Sequence, residues 1–219
     1  DQYSLDYLQF PSETLSYRAG DCDDLSILYT ALLESVGIET AFITIPGHIF
    51  TAFSLGLPES EAARLFRDNS SFIVKDGTVW IPVEVTMVGR SFLDAWNKGI
   101  EQWNEYSQQE KAGFFPIRDA WKLYRPVAGP GSVRNLEVPQ EDSIYEAYED
   151  QMTRFIEKEI ASRVAELEEN IGKGRSAERY HNKLGVLYAR FGLLDKAAKS
   201  FEAALIERPY LGAQINLGN

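Results

Sequence analysis

The sequence predicts an α+β domain over residues 1–140 followed by an all-helical segment over residues 141–219. Three observations carry this. From Asp21 to Tyr106, stretches of helical period alternate with short β-branched and aromatic runs set off by Pro-Gly and Asp-Gly turns. From Val127 to Gln140 (VAGPGSVRNLEVPQ) Gly and Pro interrupt every period, which marks a domain boundary. Beyond that boundary apolar residues recur at spacings of three and four.

Asp21 to Val36 reads as a helix, with Leu25, Leu28, Leu32 and Leu33 on one stripe and Gly37 as its stop. Ile38 to Ile45 (IETAFITI) has strand composition. Pro46-Gly47 is a turn, and His48 to Ser54 resumes the strand pattern. Glu59 to Arg67 opens with acidic residues and reads as a short helix. Ser71 to Lys75, Asp76-Gly77 and Thr78 to Thr86 form a hairpin pattern around an Asp-Gly turn. Ser91 to Tyr106 brings Phe92, Ala95, Trp96, Ile100 and Trp103 into helical register.

In the second segment, Ser143 to Ile171 places Ile144, Tyr148, Met152, Phe155, Ile156, Ile160, Val164, Leu167 and Ile171 on a long amphipathic helix. Gly172 and Gly174 end it. From Glu178 the order Leu184-Gly185, Tyr188, Gly192, Ala197, Phe201, Ala204, Pro209 pairs small with large residues, as two closely crossing helices require. This order resembles a tetratricopeptide repeat (TPR) of about 34 residues, here spanning about residues 178–211. His181 stands where that family carries a bulky aromatic. Leu217-Gly218 follows Leu184-Gly185 by 33 residues and reads as the start of a second repeat. A lone repeat leaves its outer face bare, so further repeats are expected beyond Asn219.

Composition excludes several classes. The 44% hydrophobic and 25% charged residues are ordinary for a globular chain. A net charge of -11 opposes a nucleic-acid or anionic-membrane surface. No run reaches the ~18 apolar residues of a membrane span, and Asp1 to Phe10 show no signal peptide. The chain starts at Asp1 rather than Met, as a processed or trimmed piece would, and trimming could have removed an export signal, so location is not read directly from this end. One Cys and two His exclude a disulfide framework and a multi-cysteine zinc site.

That scarcity focuses attention on Cys22, in Gly20-Asp21-Cys22-Asp23-Asp24 at the expected helix start. Unpaired N–H groups and the helix dipole favour a thiolate there. Asp21, Asp23 and Asp24 work against it, because nearby negative charge raises a thiol pKa. His48, in His-Ile-Phe after the Pro-Gly turn, is a candidate base. Glu84 lies in a run where Val79, Ile81, Val83 and Val85 alternate with Trp80, Pro82, Glu84 and Thr86. A carboxylate there calls for a hydrogen-bonding partner. Each has a plainer reading: a buried small residue, a loop histidine, an edge-strand charge. Together the three meet the needs of thiol catalysis, namely nucleophile, base and orienting acid.

PSETLSYRAGDCDDLSILYTALLESVGIETAFI, PGHIFTAF and VWIPVEVT resemble the transglutaminase-like cysteine hydrolase core over about Gln9 to Thr86, with Ala120-Trp121 and Tyr124-Arg125-Pro126-Val127 closing the domain. The resemblance implies a central helix packed on an antiparallel sheet. It also implies a papain-like triad with Cys22 as nucleophile, His48 as base and Glu84 as acid. The family's third residue is usually Asp, and the helical insertion Glu59 to Arg67 separates His and acid more than is common. Asp76 is a rival acid, better explained by its turn. The oxyanion donor is expected to be the Cys22 N–H, or a side chain from Ser16 to Arg18. No cofactor is implied. Some bacterial relatives are calcium-dependent periplasmic proteases, which makes Asp21, Asp23 and Asp24 the calcium candidates, but the three lack calcium-loop spacing and helix capping is the simpler reading.

The expected activity is acyl transfer, hydrolysing peptide or isopeptide bonds through a Cys22 thioester, with transamidation left open. A protein or peptide substrate and a protein partner held by the TPR helices are expected, in the bacterial periplasm or cell envelope rather than the cytoplasm. The alternative is a catalytically idle scaffold within a TPR interaction module. Trp80, Trp96, Trp103 and Trp121 are read as core residues before cleft-lining ones.

Overall fold

The computed structural model describes residues 7–66, 69–127, 129, 138–174 and 176–218. The chain forms two compact units, Asp1–Gln140 and Glu141–Asn219. Of the boundary segment, residues 128 and 130–137 lie outside the described residues, as do Arg67 and Asn219.

The first unit is mixed helix and antiparallel sheet. Helices α1 (Pro11–Tyr17) and α2 (Cys22–Ser35) lead into strands β1 (Thr40–Ile45) and β2 (His48–Pro58). Then come α3 (Glu59–Leu65), β3 (Ile73–Lys75), β4 (Thr78–Val83) and α4 (Phe92–Gln108). Strand β5 (Gly113–Pro116) and helix α5 (Ile117–Leu123) complete it. The described strands form one sheet in the order β3-β4-β2-β1-β5, antiparallel throughout.

Local chemistry accounts for the turns. Pro46-Gly47 closes the β1–β2 hairpin at the Ile45↔His48 pair, with Gly47 at φ 74°. Asp76 and Gly77, at φ 50° and 76°, make the two-residue β3–β4 turn, whose backbone twist demands positive φ at both positions. Asp76 is therefore a turn residue, as its Asp-Gly setting indicated.

Helix α4 crosses the sheet at its closest approach through Gly99. A Cβ there would lie 2.8 Å from the Pro82 carbonyl carbon. Around that crossing Ile43, Phe50, Ala52, Ile73 and Trp80 form the core, with Ile100, Trp103, Tyr106 and Phe114 against it. Trp96 is also buried and donates its Nε1–H to Ser71 O at 2.6 Å. Trp121 is 42% exposed, and lines an apolar recess with Phe10, Ile27, Phe42 and Ile117 that Cys22 and His48 do not line.

Two expectations about these elements are corrected. The leucine stripe of α2 is not its buried face: Leu32 is 53% exposed, while Asp24, Ser26 and Thr30 are buried. The helix packs against β2, where small side chains permit a closer approach than leucine, and Thr30 Oγ1 is satisfied internally by Ser26 O at 2.8 Å. Strand β4 ends at Val83, so Glu84 sits one residue beyond the strand, and both alternating sets of β4 are buried.

The second unit is helical: α6 (Glu141–Gly172), α7 (Ala177–Arg190), α8 (Leu194–Glu207) and α9 (Leu211–Leu217). Gly192, at φ 74°, turns the chain between α7 and α8. Leu184, Ala197, Phe201 and Ala204 are buried. A Cβ on Gly185 would lie 2.4 Å from the Phe201 ring, so only glycine fits at this crossing. The apolar stripe expected along α6 is buried only at Ile160; Ile144, Tyr148 and Met152 are exposed. No helix among the described residues is long and apolar enough to cross a membrane.

Candidate active site

Cys22 is the first residue of α2. Asp21 caps the helix, its Oδ1 accepting from the N–H groups of Asp23 (3.2 Å) and Asp24 (3.4 Å). The Leu25 N–H goes to Asp21 O at 3.1 Å. This leaves the Cys22 N–H without a hydrogen bond among the described residues, available to an oxyanion beside its own sulfur. Of the other oxyanion candidates, the Ser16 hydroxyl donates to Ser12 O at 2.6 Å within α1.

The sheet delivers the other two groups. His48 opens β2, and the register Thr51↔Val83 carries Glu84 to the level of Phe50, diagonal to His48 on the neighbouring strand. The His48 ring stacks on Phe50, centroids 6.0 Å apart. Its Nε2 lies 2.7 Å from Glu84 Oε2. Glu84 is 3% exposed, and its Oε1 accepts from the Thr86 N–H (3.0 Å) and the Thr86 hydroxyl (2.6 Å). The Glu84 N–H in turn donates to Ala95 O of α4 at 3.0 Å, anchoring the backbone that carries the carboxylate. Glu84 is thus no edge-strand charge.

The backbone N–H of Ile49, the amide adjoining His48, lies close enough to the Cys22 sulfur to favour its thiolate. Its own proton points elsewhere: the thiol donates to Asp23 Oδ1 at 3.0 Å, and among the described residues no hydrogen bond joins it to the His48 ring. Of the two opposing expectations for this thiol, the net direction is the one the acidic neighbours favour. Burial pushes the thiol pKa up most, then the hydrogen bond to Asp23 and, more weakly, the charges of Asp23 and Asp21, while the Ile49 N–H acts in the opposite direction without reversing the rise. A raised folded-state pKa contributes stability in full below the unfolded thiol's pKa, and that contribution is lost as pH rises through the folded value. Iodoacetamide needs the thiolate, so alkylation of Cys22 is expected to rise at a higher pH than for an ordinary thiol. Asp23→Asn removes both the charge and a strong acceptor, and should move that profile to lower pH; an unmoved profile contradicts the assignment.

The acidic cluster divides. Asp24 is turned inward, its oxygens receiving the Gln9 N–H (2.8 Å), Gln9 Nε2 (2.6 Å) and the Asp21 N–H (3.3 Å). It serves the fold and is withdrawn from the calcium candidates. Asp21, Cys22 and Asp23 bring one ligand atom each within 4.8 Å of one another. Two carboxylates and a soft thiol fall short of the six to eight oxygens calcium takes.

Sequence reasoning missed Thr86, the Ile49 amide, Gln9 and the thiol–Asp23 bond. A Glu-x-Thr spacing just past a strand was the available signal for Thr86, because a hydroxyl two residues on can reach back to the carboxylate. Compared with protein-family models, with curated proteins and with solved structures, the chain has no match.

Proposed function

We propose that the first unit is a thiol-dependent acyl-transfer enzyme of the transglutaminase-like kind, with Cys22 as nucleophile, His48 as general base and Glu84 as the acid that orients it. The observation that carries this reading is the buried Glu84 held 2.7 Å from His48 Nε2 at the start of β2, the strand on which the helix begun by Cys22 packs. A fold has no structural need to place a lone cysteine, a histidine and a buried carboxylate together at one end of a sheet.

In the proposed reaction the Cys22 sulfur attacks an amide carbonyl as its proton passes to His48 Nδ1. Glu84 stabilises the imidazolium, and the Cys22 N–H takes the oxyanion. The C–N bond breaks, the amine leaves with the proton from His48, and a thioester remains. Water attacks next, giving its proton to His48. The C–S bond breaks, the acid departs and the thiol recovers its proton. An amine in place of water makes the same steps a transamidation. Because the resting thiol is bonded to Asp23, a turn about its Cα–Cβ bond precedes the first transfer.

The substrate class is a peptide or isopeptide. The helices of the second unit, with the Gly185–Phe201 crossing as their TPR-like feature, are proposed to hold a protein partner. A periplasmic or cell-envelope location goes with this reading. The thiol–Asp23 bond favours a second reading, an idle scaffold whose sulfur never reaches His48.

The two separate in one experiment. The protein is mixed with p-nitrophenyl acetate, quenched in acid and weighed intact. The enzyme reading expects a rapid burst and one hydroxylamine-sensitive acetyl group, lost in Cys22→Ala. Absence of a burst from the wild-type chain favours the scaffold.

A further inference from the structure

We infer that Thr86 is a positioning residue for the His48–Glu84 pair, clamping Glu84 so that His48 keeps its proton on Nε2 and leaves Nδ1 as the ring's acceptor. The inference rests on the thiol-enzyme reading for its consequence, though its geometry stands apart from it. A glutamate carboxylate turns freely about its last torsion. Here one oxygen is fixed from two sides by a single residue, through the Thr86 N–H at 3.0 Å and hydroxyl at 2.6 Å. Only Oε2 is left for the ring, and it lies 2.7 Å from Nε2.

An ionised carboxylate only accepts, so the nitrogen facing it must donate. In a neutral imidazole that places the lone pair on Nδ1, where a base for the thiol needs it. Were Glu84 free to rotate away, the ring would populate both tautomers, and the Nδ1–H form cannot accept the thiol proton. The side chain of Thr86 is suited to a clean test. It is exposed and outside the core cluster, so its hydroxyl acts on the carboxylate rather than on packing.

Thr86→Val keeps the shape and the backbone bond and removes only the hydroxyl donor; Thr86→Ser restores it. The ring nitrogens of His48 are followed by 15N NMR above the histidine titration range, with His181→Gln used to assign them. The wild type is expected in the Nε2–H form, Thr86→Val as a mixture of tautomers, and Thr86→Ser as the wild type. Acetylation of Cys22 should slow about tenfold to a hundredfold in Thr86→Val, the effect of one hydrogen bond to a charged group, and recover in Thr86→Ser. A wild-type tautomer in Thr86→Val, or a failure of Thr86→Ser to restore it, overturns the inference. An altered tautomer with unaltered acetylation leaves the clamp standing and sinks the thiol-enzyme reading instead.

Discussion

His48→Ala is expected to slow acetylation of Cys22 by p-nitrophenyl acetate by about 10²–10⁴-fold at neutral pH, the range for loss of a positioned general base. The raised pKa of the thiol makes this dependence stronger. Burial and the Asp23 and Asp21 carboxylates keep the sulfur protonated, so little thiolate exists in advance. The proton has to be removed during attack, and in the proposed reaction the His48 imidazole takes it once the thiol has turned away from Asp23. Burst kinetics of wild type and variant at matched pH read the effect. A variant within twofold of the wild type would mean that Cys22 reacts through its bulk ionisation alone.

The second large effect is expected from Glu84→Gln. Glutamine matches the volume and still offers Thr86 an acceptor at the Oε1 position. At the Oε2 position it presents an NH₂ to His48 Nε2 where the carboxylate offered an acceptor at 2.7 Å. Donor then faces donor unless the ring gives up its Nε2 proton, and the Nδ1–H tautomer that results is unable to take the thiol's proton. A loss of about 10²-fold or more in acetylation is expected, by analogy with the effect of a wrong tautomer in serine triads. Stability should fall by only about 1–3 kcal/mol, because the buried site stays filled and partly bonded. Urea unfolding monitored by tryptophan fluorescence separates the two effects. A variant that is destabilised yet retains the wild-type burst would remove Glu84 from the proposed machinery.

The parts of this fold that were legible in sequence are those whose signals are local. Pro46-Gly47 and Asp76-Gly77 announced their hairpins because positive φ favours glycine. Phe92, Ala95, Trp96, Ile100 and Trp103 announced α4 through their helical register, and the structure adds a reciprocal Ser91–Asp94 cap at its start. Edge elements were not legible. Strand β5 consists of Gly-Phe-Phe-Pro, which reads as punctuation, but it lies at the sheet margin where proline's missing N–H is tolerated. Helix α1 is a single short piece started by Pro11 and stabilised by Glu13, whose carboxylate accepts from the Phe10 N–H at 2.8 Å.

The site shows the same division. Cys22 was located by its helix start and His48 by its turn, both features of a few neighbouring residues. What decides their chemistry is contact between distant segments. The Ile49 amide reaches the sulfur only because α2 packs on β2. Asp24 could not be told from Asp23 by spacing; Gln9, 15 residues away, draws one inward and leaves the other to take the thiol's hydrogen bond. The leucine stripe of α2 misled for a related reason. Apolar periodicity marks which face is greasy, whereas close packing on a sheet selected the face carrying Ser26 and Thr30.

The central claim is that Cys22, His48 and Glu84 act as one unit, and a double-mutant cycle on the acetylation rate tests it most directly. Wild type, His48→Ala, Glu84→Gln and the double variant are measured by burst kinetics under one set of conditions. If Glu84 acts only through the His48 ring, the double variant should react no more slowly than His48→Ala alone. Multiplicative losses, with the double variant slower than either single one by the full product, would contradict the account.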